Sequence, residues 1–235
     1  MTVDKKADLL SRAAQAIDNS LSDAGIRDVV ATYGYNEAKL REGRALVDAA
    51  LAASSAQLAA NGEQQRATAA LNQAEQTARA AYQALAKLAR ASCDKPSLAV
   101  LGLTGSAPRT PDGLAKATFN LFENAPQVPA LAGFGYNAER VAAGRATAEA
   151  LQAAISAQGT AKGAAQKVAL QQKAAFKSLE SWLALYIKVA KVALAADAQQ
   201  LEKLDVVART SPTAAQRAAA TAKKQQPPTP TTTAS

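Results

Sequence analysis

An all-α fold is what this sequence predicts, and three observations carry that expectation. Alanine saturates the chain, while glycine and proline number only 12 and 9 among 235 residues, a balance that favours helix nearly everywhere. Apolar residues recur at alternating steps of three and four, the period of a helix face. The run GYNEAKLREGRA at 34–45 returns as GYNAERVAAGRA at 135–146, 101 positions later, and self-similarity at a fixed period marks a repeated structural unit. The expectation is therefore two tandem, similar helical-bundle repeats, residues 1–103 and 104–207. A basic Pro/Thr-rich tail, 208–235, follows them and is expected to be disordered.

Each repeat opens on an amphipathic helix. Leu10, Ala13, Ile17 and Leu21 line one face of the first, and Pro111, Leu114, Thr118 and Phe122 stand at the same offset in the second. Thr110 and Pro111 supply an N-cap and a first-turn proline there. A short helix or turn then leads into the Gly-Tyr-Asn phrase. A long helix from about 37 to 60 comes next and another from about 63 to 92, with Asn61-Gly62 and Lys162-Gly163 as the expected turns. One continuous helix is the competing reading, because a lone glycine costs only about 1 kcal/mol. Positions 67, 71, 74, 78, 81, 85 and 88 form a heptad-like seam, and 101 residues on the seam is Val168, Gln172, Ala175, Leu179, Trp182, Tyr186 and Val189. Further along, Leu101-Gly102-Leu103 lines up with Leu204-Asp205-Val206, two residues out of step.

The repeated phrase reads as a joint. Asn36 and Asn137 precede the first helical residue, where a side-chain oxygen accepts a free backbone N–H. Tyr35 with Leu40, and Tyr136 with Val141, have the spacing of a hydrophobic staple. Gly34 and Gly135 sit where a preceding helix ends and positive φ is needed. Gly43 and Gly144 lie inside the long helix, where an absent side chain permits a close helix approach or makes room for a tyrosine ring; the expected seam there is Leu40, Gly43, Val47 and Leu51. Arg44 with Asp48, and Arg145 with Glu149, are spaced as i, i+4 ion pairs. The competing reading gathers Tyr, Asn and Arg into a site for a carboxylate or phosphate.

The paired phrase, each copy followed by a long helical stretch and the second ending near WLALYIKVAKVAL at 182–194, resembles a group of bacterial duplicated all-helical proteins. The resemblance covers the chain up to about residue 207. That group carries no assigned activity, so the resemblance implies an architecture and no function.

Composition narrows the chemistry. The chain has no histidine and a single cysteine, Cys93, so a neutral-pH proton shuttle, an intramolecular disulfide and most zinc or di-iron designs lack their parts. Neither Gly-x-Ser-x-Gly nor a phosphate-binding Gly-x-x-x-x-Gly-Lys-Ser/Thr occurs. Carboxylates such as Glu37, Glu42, Glu75 and Glu180 stand singly on helix faces. A noncatalytic protein without cofactor or metal is expected. The start, MTVDKKADLL, carries charges where a secretory signal needs an apolar run, and Lys188 and Lys191 interrupt the longest apolar stretch. A cytoplasmic protein with no membrane contact is the expectation, with Trp182 and Tyr186 in the core rather than on a membrane-facing helix. Cys93 reads as a small buried or half-buried residue.

Net charge is +8. Arg209, Arg217, Lys223 and Lys224 lie in the tail without an acid, so the tail holds half of it. The function expected is a helical scaffold or protein-interaction module, self-association included. The alternative is nonspecific, weak nucleic-acid association through the basic tail.

Overall fold

The computed structural model describes residues 3–205, and every regular element among them is helical. The tail at 208–235 lies outside the described residues. The elements are α1 (Val3–Ser22), α2 (Ala24–Ala31), α3 (Glu37–Ser92), α4 (Lys95–Val100), α5 (Pro111–Asn124), two 3-10 turns (Ala125–Gln127 and Pro129–Phe134), α6 (Ala138–Ala193) and α7 (Ala198–Lys203).

The expected turns at Gly62 and Gly163 are absent. α3 and α6 are each a single helix of 56 residues, about 84 Å long. Neither helix contains proline, and a glycine weakens a helix without interrupting its hydrogen-bond ladder. Asn61 does not cap a second helix; its side-chain oxygen accepts from Gln57 Nε2 one turn earlier, at 2.7 Å. A different interruption explains why α2 is an α-helix while the matching stretch at 125–134 is 3-10. Pro126 and Pro129 remove two backbone donors there, and the chain winds into short turns instead.

The chain divides into two compact units whose borders do not follow the repeat. Unit 1 is Met1–Asp48 with Phe176–Ser235, and unit 2 is Ala49–Ala175. Unit 1 thus joins α1, α2 and the start of α3 to the end of α6 and α7. Its core holds Ala13, Ala16, Ile17, Ile26, Val30, Leu40, Leu179 and Tyr186, all fully buried. The buried face of α1 is turned by about one residue from the expected one: Leu9, Ala16 and Ser20 are inside, and Leu10 and Leu21 are half-buried.

Unit 2 holds most of α3, then α4, α5, the 3-10 turns and the first two-thirds of α6. Leu85, Leu101, Leu114, Leu121, Leu131 and Leu151 form its fully buried centre. Within it α3 and α6 run antiparallel, since Ser54 meets Gln172 at 3.3 Å while Ala81 lies beside Gly144. The heptad seam holds, with all fourteen of its positions buried or half-buried. Leu51 is a correction: it is 56% exposed, and its neighbour Ala50 takes the inward position.

A second correspondence runs at an offset of 103. Asp94 and Asp197 both cap their short helices, accepting from Ser97 N and from Gln199 and Gln200 N. Leu98 and Leu101 correspond to Leu201 and Leu204, and the next residues, Gly102 and Asp205, both have positive φ, 69° and 56°. The Leu-Gly-Leu match was the visible end of a whole capped helix.

Candidate functional site

Both copies of the phrase form the same joint. Asn36 Oδ1 accepts Lys39 N at 3.0 Å, and Asn137 Oδ1 accepts Arg140 N at 2.9 Å. These are N-caps on α3 and α6, each satisfying a donor that the helix itself cannot. Gly34 and Gly135 have φ of 88° and 81°, the left-handed conformation that closes the preceding turn. Tyr35, Leu40, Tyr136 and Val141 are buried as the staple spacing requires.

The mid-helix glycines make room for rings, but not for the expected tyrosine, and the ring differs between the units. A Cβ on Gly43 would fall within the indole of Trp182, and one on Gly144 within the ring of Phe122. In unit 1 the indole belongs to a three-ring cluster. Trp182 stacks on Tyr186 with centroids 5.3 Å apart, and Tyr35 meets them at 5.7 and 5.0 Å. Ser20 and Tyr186 share a hydrogen bond between their hydroxyls, and Ser20 also donates to Ala16 O. Burial pushes the phenols of both Tyr35 and Tyr186 above their ordinary value, because a phenolate there would lose its water. Tyr35 Oη and Trp182 Nε1 are buried without a protein partner. Unit 2 has a smaller arrangement, Phe122 and Tyr136 at 6.4 Å.

The arginines tie the long helices to the opening ones. Arg44 pairs with Asp18 of α1 at 2.7 Å and with the expected Asp48 at 3.5 Å. Arg145 departs from expectation: it pairs with Glu123 of α5 at 2.7 Å, not with Glu149, and its guanidinium lies 5.1 Å over Phe119. Phe119 stands 101 residues after Asp18, so each arginine reaches the corresponding place on its opening helix. All these partners are half-exposed, and each pair contributes at most about 1 kcal/mol.

The Tyr, Asn and Arg of one phrase therefore do not converge on a ligand. Asn is spent on the helix end, Arg on the opening helix, and Tyr lies in the core. Three of the singled-out carboxylates are held in ion pairs, Glu37 with Arg41, Glu42 with Lys39 and Glu75 with Arg79. Asp23 and Asp94 are held below the ordinary carboxylate value, Asp23 first by the Lys203 hydrogen bond and Asp94 by its hydrogen bond to Ser97. Cys93 is half-buried and packs against the unit 2 core.

Sequence reasoning missed Phe119, Phe122 and Arg140 as companions of the phrase. The signal available was positional, since these residues sit at the offsets of Asp18, Leu21 and Lys39. Open spaces in unit 2 include two beside the phrase and its opening helix. A cleft of about 600 Å³ runs between α5 and α6, with Lys116, Asn120, Glu149 and Gln152 around an alanine floor. A hollow of about 200 Å³ lies over Ala81 and Ala84, walled by Phe122, Tyr136 and Arg140. Among the described residues no helix is long and apolar enough to cross a membrane, and no group of three or more His, Cys, Asp or Glu could hold a metal ion. No family model, curated protein or solved structure matches the chain.

Proposed function

We propose that this protein is a noncatalytic helical scaffold whose surfaces bind a protein partner or a second copy of the chain. One observation carries the reading: the residues written twice are employed in building. The asparagines cap, Gly34 and Gly135 turn the chain, Gly43 and Gly144 admit rings, and the arginines hold the opening helices. A duplication that preserves joints preserves a shape. Surfaces away from the joints carry apolar residues, including Leu51 and Leu58 one heptad apart, at 56% and 76% exposed.

Charge supports a second reading, weak nucleic-acid association. Unit 2 holds 12 Lys and Arg against 7 Asp and Glu, while the described residues of unit 1 hold 11 against 12. With the tail, the positive charge is thus concentrated in two places, and phosphate attraction of that kind is steeply salt-dependent. Light scattering over a concentration series, beside anisotropy titrations with duplex and single-stranded oligonucleotides, tests both. The scaffold reading expects assembly or a stoichiometric protein complex, and feeble oligonucleotide binding at about 0.15 M salt. Micromolar, sequence-selective binding of nucleic acid at that salt would overturn it.

A further inference from the structure

The two units solve one packing problem differently, and the difference leaves a vacancy in unit 2. Above Gly43 the space is filled by Trp182, which is 8% exposed, with Leu185 one turn on. The residues 101 positions earlier are Ala81 and Ala84. Phe122 covers Gly144 from α5, yet the two alanines still leave a hollow of about 200 Å³ bordered by Phe122, Tyr136, Arg140 and Gly144. Unit 1 therefore displays an occupant of the equivalent place: an indole, delivered from a helix and set edge-on to a tyrosine.

The charges at the rim differ in the same way. In unit 1, Lys39 is neutralised by Glu42 at 2.7 Å. In unit 2 the matching pair is Arg140 and Ala143, so the guanidinium has no acid on the next turn. Arg140 lies 4.4 Å over the Tyr136 ring, and no ion pair of it is found among the described residues. A buried aromatic wall with an unpaired arginine at its edge matches an aromatic group that carries a carboxylate beside it.

We propose that this hollow is a socket for one aromatic side chain, flanked by an acidic residue, on a partner protein. Its size decides between a side chain and a free small molecule. Pockets that enclose a drug-sized ligand measure about 300–1,000 Å³, and this one is smaller and open to solvent. A single anchoring ring in a pocket, rimmed by arginine, is instead the common form of a protein–protein hot spot. The assignment rests on the interaction-module reading above and gives that reading a partner chemistry.

The test is an amide-resolved NMR titration of the whole chain with acetyl-Glu-Glu-Trp-Glu-Glu-amide and its lysine counterpart, acetyl-Lys-Lys-Trp-Lys-Lys-amide. Saturable shifts are expected at Ala81, Ala84 and Gly144 with the acidic peptide, and binding about tenfold weaker for the lysine one. Arg140→Gln, an exposed change, should narrow that ratio to about twofold, and Ala81→Trp should abolish binding while the helical circular dichroism is kept. No shifts at these amides up to about 5 mM peptide, or equal binding of both peptides, would overturn the socket. So would N-acetyltryptophanate binding as tightly as the acidic peptide, which would mark a small-molecule site. Failure here leaves the broader reading distinguishable, because assembly through another surface would still appear in light scattering.

Discussion

Unit 1 is closed by a knot of aromatic and hydroxyl groups, whereas unit 2 is closed by leucines. Ser20 and Tyr186 meet in unit 1 through their hydroxyls; the residues 101 positions from each are Leu121 and Leu85, both fully buried in the unit 2 core. The joints beneath are alike in cap, turn and mid-helix glycine. The comparison shows one backbone arrangement under two different fillings. A hydroxyl pair and an apolar pair both satisfy a buried position, provided that both members change together.

The strongest way to break the comparison is to remove the indole. Trp182→Ala should cost about 3–5 kcal/mol in chemical denaturation, from lost burial and a cavity beside Gly43. Gly43→Ala alone should cost about 1–3 kcal/mol, because its methyl group collides with a ring that has no room to move. In the Trp182→Ala background the same change should become neutral or favourable, since the ring is gone and alanine is the better helix former. Gly144→Ala should cost less than Gly43→Ala, because Phe122 borders the hollow and can swing into it. Equal costs in the two units would show that the filling does not set the tolerance of the joint.

Caps come next in size. Asn36→Ala and Asn137→Ala should each lose about 1 kcal/mol, and by similar amounts, because this part of the joint is shared. A difference well beyond that would mean the two joints are unlike. Gly62→Ala and Gly163→Ala should raise stability by up to about 1 kcal/mol each. Both lie inside helices, and an added Cβ meets nothing within 4 Å at either.

Alkaline titration probes the ring cluster of unit 1. The phenols of Tyr35 and Tyr186 ionise above the ordinary value of 10.0 in the folded protein. Their burial therefore contributes stability that is complete below pH 10 and is lost as pH rises through the raised folded values. Phenolate absorbance should show a late-ionising fraction, and Tyr35→Phe and Tyr186→Phe should each remove part of it.

What was legible in the sequence was local. Caps, left-handed glycines and the three-four seam are set by neighbours along the chain, and Asn36, Gly34 and the seam from 67 to 88 were all placed correctly. Choices that depend on distant segments were not legible. Nothing near Gly43 announces that Trp182 will cover it, and nothing near Arg145 favours Glu123 over Glu149, which has the i, i+4 spacing. Gly62 misled in the other direction: Asn-Gly is a strong turn signal, yet the continuous seam on both sides outweighs it. For the candidate site, the phrase itself was legible as a joint, and the hollow beside it was not, because a vacancy is defined by what a remote alanine lacks.

The arrangement of unit 1 also imposes an order in time. Its two segments are separated by the whole of unit 2, from Ala49 to Ala175. A chain emerging from the ribosome must carry its first 48 residues without their core until those after Phe176 appear, a wait of about 6–25 s at ordinary rates of synthesis. Unit 2 is contiguous and can close first, so an arrested chain with residue 175 clear of the exit tunnel should resist protease in unit 2 while α1 and α2 are digested. During that interval the apolar face of α1 is open to water and to chaperones, and the last part of α6 completes a surface that was made first.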